Sequence, residues 1–426
     1  MPSPKFQAPP GTRDVLAPES DRWQRLVALF AEHTTRAGFG LLQTPLFEDI
    51  GVFQRMGEGT DVVRKEMYEF EDRGGRHLAL RPEGTASVVR AFNQHHPITP
   101  WKAWYVTPCF RYEKSQAGRY RQHHQLGCEI LGTSDPDADV EVVVLLRDFY
   151  QALGLQRIDL VINSMGMVDD RQRYIEVLRT WLTERLGDLA DDDRENARRH
   201  PMRVLDSKRR QTREVTASAP KLADSLSDDA VSHFDRVQAG LAAQDIPFVV
   251  DQRLVRGLDY YNHTTFEFQA TALEAAQNTI GGGGRYDGLA ESLGGKPAPG
   301  VGFGSGIERI LLACDAEGTF GAPETRIDVF VVDTTGGAEA RDLVIELRRA
   351  GVRADRSFDG RSMKAQMKNA DRSGATLGLI VGPEERASSS AALRELRNRD
   401  TEQVAIDRGD VVTTILSRLG ATRDTV

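Results

Sequence analysis

The chain of 426 residues contains only three cysteines, Cys109, Cys128 and Cys314, and no pair of them has CxxC spacing. This excludes a disulfide framework and the common cysteine-based zinc site, and a reducing cytoplasm is the expected compartment. No run approaches the ~18 consecutive apolar residues of a membrane span, so no membrane partner is expected. The opening MPSPKFQAPPGTRD lacks the apolar core of a secretory signal. An excess of positive charge is missing too, since the formal net charge is −8. That argues against a protein that coats nucleic acid indiscriminately, but not against a confined basic footprint. There is no fixed-period repeat, no low-complexity tail and no Ser–His–Asp set.

What is present describes a soluble globular protein of two or three domains, 40% hydrophobic and 28% charged. Residues 19–37 read as a helix, with Trp23, Leu26, Val27, Phe30 and Thr34 at three-and-four spacing and Gly38 as its stop. A short strand interrupted by Pro45 follows. EMYEFED and RHLALR form a hairpin around Gly74-Gly75. A helix is expected at 86–94, strands at WKAWYVTPCFRYE and HHQLGCEILG, a helix at 139–153 and a strand at RIDLVINSM. Strands that arrive in hairpins with scattered helices favour an antiparallel sheet. Residues 168–248 are charged and nearly free of strand signals, which suggests a helical insertion. Beyond residue 318, alternating strands and helices predict a separate α/β domain: strands at 326–334, VRADRS, TLGLIVG and EQVAI, and helices at 338–350, 361–373 and 410–419.

Six runs bear on chemistry. FRYEKSQAGRYRQHHQLGCEILG (110–132) packs Arg111, Lys114, Arg119 and Arg121 among aromatics and returns as a strand bearing Gln125 and Glu129. RPEGT (81–85) sets a carboxylate beside a hydroxyl, a good cradle for an ammonium group, although alone it is also an ordinary turn. LVRGLDYYNHTTFE (254–267) offers Arg256 next to Gly257 and two tyrosine hydroxyls. IGGGGRYDGL (280–289) and GFGSGIERI (302–310) are glycine-rich, and glycine lets a strand lie against a ligand. Neither has the context of a dinucleotide site. Arg361, Lys364 and Lys368 in GRSMKAQMKNADRSGA (360–375) share a helix face, which is a solvated face more often than an RNA site.

Together these runs resemble the histidyl-tRNA synthetases, class II aminoacyl-tRNA synthetases, over essentially the whole chain. The resemblance implies an α+β catalytic core with an antiparallel sheet (1–167 and 249–318), a helical insertion domain (168–248) that contacts the tRNA acceptor arm, and a C-terminal α/β anticodon-binding domain (326–426). It implies a homodimer built on the first helix and the Pro45 strand. The implied substrates are L-histidine, ATP with Mg²⁺, and tRNA-His. The implied histidine site is Glu83, Gly84 and Thr85 near the α-amino group, Gln125 near the amino-acid backbone, and Glu129, Tyr260 and Tyr261 at the ring. The ATP site is Arg111, Glu113, Arg119, His123, Arg256 and Arg309, with Arg111 and Arg256 catalytic. Lys114, Gln116, Arg361, Lys364 and Lys368 meet tRNA. The expected reaction needs no general base, because a carboxylate is already a nucleophile toward the α-phosphorus; it needs cations placed in advance at the phosphoryl oxygens.

The chain departs from the family pattern at Lys114-Ser115, where Arg-Pro is common, and at His123, where an aromatic is common. No Mg²⁺ ligand can be named from the sequence. Two rivals share parts of the pattern: a non-catalytic paralogue such as the synthetase-like regulatory subunit of ATP phosphoribosyltransferase, and an RNA-binding module without chemistry. The first usually lacks the anticodon domain, and the second has no need of Glu83, Glu129 and Arg256 together.

Overall fold

The computed structural model describes residues 6–55, 63, 65–114, 118–205, 207, 209–254, 260–274, 278–323, 327–398 and 402–423. It divides into two compact units, Met1–Gly321 and Ala322–Val426.

The first unit is organised by an eight-stranded sheet and a three-stranded one. The strands are β1 (Gly40–Leu41), β2 (Phe47–Asp49), β3 (Tyr68–Glu71), β4 (His77–Leu80), β5 (Trp101–Phe110), β6 (Gln122–Leu131), β7 (Ile158–Ser164), β8 (Val249–Val250), β9 (Asn262–Ala270), β10 (Thr279–Arg285) and β11 (Gly300–Gly306). The large sheet runs β1-β5-β6-β11-β10-β9-β7-β8 and the small one β2-β4-β3. From β5 to β7 every neighbour is antiparallel. Only the edge pairs β1–β5 and β7–β8 are parallel. The strand expected around Pro45 is in fact two, β1 and β2, in different sheets. Buried Arg81 holds the turn between them, donating from Nη1 to Thr44 Oγ1 at 2.8 Å and from Nε to Pro108 O at 2.9 Å.

Two-residue alternation assigns the faces of the large sheet. Trp104 on β5, Leu126, Cys128 and Ile130 on β6, and Val301 and Phe303 on β11 join one core. Helices Glu19–Arg36, Pro136–Ala152 and Ile307–Glu317 cover that face, and Phe30 meets Phe149 edge-on at 5.1 Å and Trp104 at 5.8 Å. Ala103 and Tyr105 point the other way, into a second core with Phe53, Val89, Tyr261 and Tyr286. Gln125, Gly127 and Glu129 are out of phase with Leu126, Cys128 and Ile130, so they share that second face.

Between β7 and β8 the chain is helical. Helix Val168–Thr183 and its short successors share a separate core of Tyr174, Leu178, Leu182, Leu189, Val204 and Leu222. Helix Asp228–Ala243 instead buries Phe234, Val237 and Leu241 in the main core.

The second unit is a sheet of β12 (Val329–Asp333), β13 (Ala354–Arg356), β14 (Leu377–Val381), β15 (Ser390–Glu395) and β16 (Val404–Asp407), in the order β13-β12-β14-β15-β16. β13, β12 and β14 are parallel, and β15 and β16 add antiparallel pairs. Helices Ala338–Arg349, Met363–Ser373 and Val411–Arg423 complete it. β15 is not among the sequence-predicted strands. SAALRE has no β-branched or aromatic residue; its pairing on both sides and the burial of Ala391, Ala392 and Leu393 override weak propensity.

One buried ion pair ties several segments of the first unit together. Arg285 donates from Nε to Asp139 Oδ2 at 3.0 Å, from Nη1 to Thr133 O at 2.9 Å and Asp287 Oδ1 at 3.2 Å, and from Nη2 to Asp135 O at 3.0 Å. Both partners of the Arg285–Asp139 pair are fully buried. Arg285→Ala should therefore destabilise this unit by about 3–5 kcal/mol, because it strands a buried charge. Thermal melting checks this, and an unchanged Tm would show that water or a rearranged partner satisfies Asp139.

Candidate active site

Glu129 sits at the centre of the second face and is completely buried. Three hydroxyls donate to it: Thr85 Oγ1 to Oε1 at 2.7 Å, Tyr105 OH to Oε1 at 3.2 Å and Tyr286 OH to Oε2 at 2.5 Å. Burial pushes its carboxyl up to about 8, only partly opposed by the hydroxyls. At neutral pH the group mostly carries a proton. It can therefore donate to a ring nitrogen as an acid or accept a ring N–H as a carboxylate.

β11 leaves room for this side chain. Gly302 is in register with Glu129, and a Cβ on Gly302 would lie 1.7 Å from Glu129 Oε2. Two residues along, a Cβ on Gly304 would lie 1.6 Å from Gln125 Nε2. Both polar side chains lie flat across the adjacent strand, which only glycine permits.

The RPEGT turn closes the pocket from the side. Glu83 accepts the backbone N–H groups of Thr85 at 2.6 Å and Ala86 at 2.8 Å, at the start of helix Thr85–His95. Burial raises its carboxyl as well, against those two hydrogen bonds. Gly84 N donates to Gln125 Oε1 at 3.0 Å, and a Cβ there would strike the Tyr105 ring at 2.4 Å. Thr85, expected beside Glu83 as an ammonium cradle, turns its hydroxyl to Glu129 here. Tyr260 and Tyr261 pack with ring centroids 4.6 Å apart, and Tyr260 meets Tyr286 edge-on at 5.8 Å. Burial first, then the neighbouring Tyr261 and Glu83, raises the Tyr260 phenol far above its ordinary range, so it stays a hydrogen-bonding hydroxyl.

Cations gather toward the other end of β6. Arg111 donates from Nε to Pro82 O at 2.9 Å. Arg309 donates from Nη1 to Thr279 O at 2.7 Å and from Nε toward Gly118 O at 3.4 Å. Arg119 pairs with Glu113 at 3.2 Å, while its Nε is buried without a partner. Burial, then the Arg119 charge, lowers Arg309, and Glu113 partly offsets this while Arg111 adds to it. Burial, followed by Arg111, His124 and Arg309, pushes His123 down to about 3, so its ring is neutral. Three guanidinium groups and a neutral imidazole in mutual range suit a polyanion attached to an aromatic base.

Of the sequence-predicted site residues, Glu83, Gly84, Thr85, Gln125, Glu129, Tyr260 and Tyr261 gather in the pocket. Arg111, Glu113, Arg119, His123 and Arg309 gather beside it, and Lys114 is exposed at the end of β5. Arg256 and Gln116 lie outside the described residues. Arg361, Lys364 and Lys368 are exposed in the second unit. Three residues escaped the sequence reading. Tyr105 and Tyr286 complete the hydroxyl shell; Tyr286 directly follows Arg285 in a run noted only for its glycines. Glu308 accepts from His124 N at 3.0 Å and sits 3.0 Å from its Nδ1, fixing the strand next to His123.

Comparison with known proteins decides the family. The profile described as histidyl-tRNA synthetase matches residues 11–310, and an anticodon binding domain matches 328–418. The chain belongs to the histidyl-tRNA synthetase family. It is 45% identical over 423 residues to a histidine–tRNA ligase of Geobacillus thermodenitrificans, covering 97% of this chain and 98% of that one. Among solved structures, ligand-free S. aureus histidyl-tRNA synthetase aligns with a TM-score of 0.81 at 34% identity, over 96% of this chain and all of the other. An ATP phosphoribosyltransferase regulatory subunit/histidyl-tRNA synthetase from Bacillus halodurans aligns with a TM-score of 0.60 at 21% identity, over 85% of this chain and 96% of the other, and shares the fold.

Within the family frame, two consequences of the pocket are measurable. Gly302→Ala should abolish detectable histidine binding, because the new methyl occupies the place of Glu129 Oε2. Calorimetry with histidine would read this, and unchanged affinity would mean that Glu129 has another place to lie.

The second consequence concerns pH. Folded Glu129 titrates near 8, against an ordinary value of 4.5. Between those values the native state keeps a proton that the unfolded chain has released, so this group's contribution to stability falls as pH rises. Glu129→Gln cannot ionise. The Tm difference, variant minus wild type, should therefore grow from pH 5 to pH 8 and then level off. A flat difference would mean that Glu129 is ionised in the fold.

Proposed function

We infer that this chain ligates histidine to tRNA-His in two steps, with the pocket on the second face of the large sheet as the site of the first. Histidine and ATP give histidyl-adenylate and pyrophosphate; the acyl group then passes to the terminal adenosine of tRNA-His. The observation that carries this reading is the layout along β6. Glu129 lies in a hydroxyl shell at one end, and His123 lies among Arg111, Arg119 and Arg309 at the other. Six residues of strand span about 20 Å, the scale of an amino acid joined to a nucleotide.

In this assignment Glu129, Tyr260 and Tyr261 read the imidazole, assisted by Tyr286. Leaving such buried polar groups unpaired is what rejects amino acids without a ring N–H. Glu83 and Thr85 receive the α-amino group, with Gly84 between them, and Gln125 faces the amino-acid backbone. Arg111 and Arg256 stabilise charge on the α-phosphoryl oxygens as the carboxylate attacks. Arg309, Arg119, Glu113 and His123 hold the rest of ATP. Mg²⁺ would arrive with the triphosphate; in such sites it keeps several waters and is held by substrate phosphates beside one or two carboxylates. Glu113 and Glu267, both near Arg309, are of the right chemistry.

The wider assembly follows the same reading. The catalytic core takes in 1–167 and 249–318, the insertion 168–248, and the anticodon-binding domain 326–426. Lys114, Gln116, Arg361, Lys364 and Lys368 meet tRNA. Phe47 and Phe70, exposed with ring centroids 6.0 Å apart, offer apolar surface that suits a homodimer, as do exposed Leu41 and Leu46 nearby in sequence. The three thiols are free and buried, consistent with the cytoplasm, and no helix among the described residues is long and apolar enough to cross a membrane.

The deciding assay is histidine-dependent ATP–pyrophosphate exchange, followed by charging of tRNA-His. A non-catalytic paralogue and an RNA-binding module without chemistry both fail exchange and charging alike, since charging consumes the adenylate made in the first step. Ending the chain at residue 321, the border of the first compact unit, should preserve exchange and severely weaken charging. Full charging by that shortened chain would refute the assignment of tRNA binding to the second unit.

A further inference from the structure

Phe358 is the exposed aromatic of the second unit, 61% accessible, in the loop between β13 and helix Met363–Ser373. Arg356 lies over its ring at 4.5 Å, covering one face. The loop is held in shape. Asn369 Nδ2 donates to Ser357 Oγ at 2.9 Å at one end. At the other, Gln366 Nε2 donates to Arg361 O at 2.7 Å and to Asp333 O at 2.7 Å, while its Oε1 accepts from Asp333 N at 3.0 Å. Between these anchors Asp359 and Gly360 turn the chain with φ of +66° and +54°. An apolar ring is thus displayed to solvent by a segment whose polar groups are fixed.

Its neighbours are cations. Arg361 is exposed in the same loop, and Lys364, Lys368 and Arg372 follow one face of the helix four residues apart. That face flanks Asn369, the residue anchored to Ser357, so the ring and the cations border one surface. β13, β12 and β14 are parallel, so this loop leaves the carboxyl edge of the strands, where open α/β sheets take their ligands. Asp359 and Asp355 are the acids closest in sequence, Asp355 facing Arg348 at 3.4 Å; Asp371 lies farther along the helix, and exposed Met363 is the apolar neighbour on its first turn. A protein-docking phenylalanine would be expected among apolar side chains. A ring with one face capped by a guanidinium and a rim of lysine and arginine has the chemistry of a single-strand platform, where a base stacks and cations follow the backbone.

We propose that Phe358 is a stacking platform for one unpaired base of the tRNA, with the adjoining phosphates held by Arg361, Lys364 and Lys368. The proposal rests on the reading of this unit as tRNA-binding and adds the residue that engages a base. Stacking tolerates any base, so the contact contributes affinity and leaves sequence discrimination to other groups.

The test uses the full-length chain and a tRNA-His transcript. Charging kcat/KM of each variant is normalised to the pyrophosphate-exchange rate of the same preparation, which removes differences in folded fraction. Phe358→Ala should lower the normalised value about tenfold or more, mainly through KM for tRNA. Phe358→Trp should restore it and Phe358→Leu should not, because leucine keeps the apolar surface but has no π face. Equal values for Phe358→Leu and wild type would overturn stacking. The double variant Lys364→Ala/Lys368→Ala separates the proposal from the reading beneath it. A loss there with no loss in Phe358→Ala refutes the platform and keeps the tRNA face; no loss in either refutes both.

Discussion

The active site depends on the close approach of β6 to β11. Glu129 and Gln125 can lie in the pocket only because Gly302 and Gly304 on the facing strand have no Cβ. The alternation that sends Gln125, Gly127 and Glu129 to one face sends Leu126, Cys128 and Ile130 into the core on the other. Any slip of one residue would bury the carboxylate among phenylalanines and expose the leucine. Register, core packing and catalytic geometry are therefore one constraint. The glycine-rich strands are weak in propensity, but each has hydrogen-bonded partners on both sides, β6 and β10 for β11, and β11 and β9 for β10.

The two ends of the pocket are electrostatically unlike, which suits the two substrates. Around Glu129 the donors are neutral hydroxyls. They satisfy the carboxyl without adding a cation, so burial prevails and the group holds its proton at neutral pH. In the proposed assignment, discrimination there rests on hydrogen-bond matching, which resists salt and penalises any ring that leaves a partner unpaired. Near His123 the donors are guanidinium groups already fixed by the carbonyls of Pro82 and Thr279. In the proposed reaction such prior placement leaves little reorganisation for the transition state.

Much of this was legible because the informative residues sit on elements with strong periodicity. β5 and β6 were readable as apolar-rich strands, and the Glu19–Arg36 helix from its three-and-four spacing; the two-faced pattern of β6 came with the structure. The roles of Glu83, Glu129 and Arg309 came from the resemblance, since no spacing rule distinguishes a pocket carboxylate from a surface one. Tyr105 and Tyr286 were hidden for a different reason. They reach Glu129 from β5 and from the turn after β10, and one of these contacts spans 157 residues of sequence. β15 was hidden because partners, not propensity, make it a strand. Arg256 remains a matter of sequence alone.

The helical segment between β7 and β8 is tied to the pocket at its return to the main core. Its first part, from Val168 to Leu226, has its own small core. Helix Asp228–Ala243 then returns to the main core, where His233 Nε2 lies 3.4 Å from Asp139 Oδ1 and its ring stacks on His263 at 4.3 Å. Asp139 is the partner of Arg285, and Arg285 precedes Tyr286, whose hydroxyl binds Glu129. Asp287 on the other side of Tyr286 also takes Gly300 N at 3.2 Å, fixing the start of β11. A buried charged pair of this kind is weak evidence for net stability, but breaking it is costly. Its position supplies a better reason for its presence. The returning helix, the turn that carries Tyr286 and the glycine strand under Glu129 are joined through one guanidinium, and Arg171 of helix Val168–Thr183 adds a second tie, donating from Nη1 to Tyr261 O at 2.8 Å.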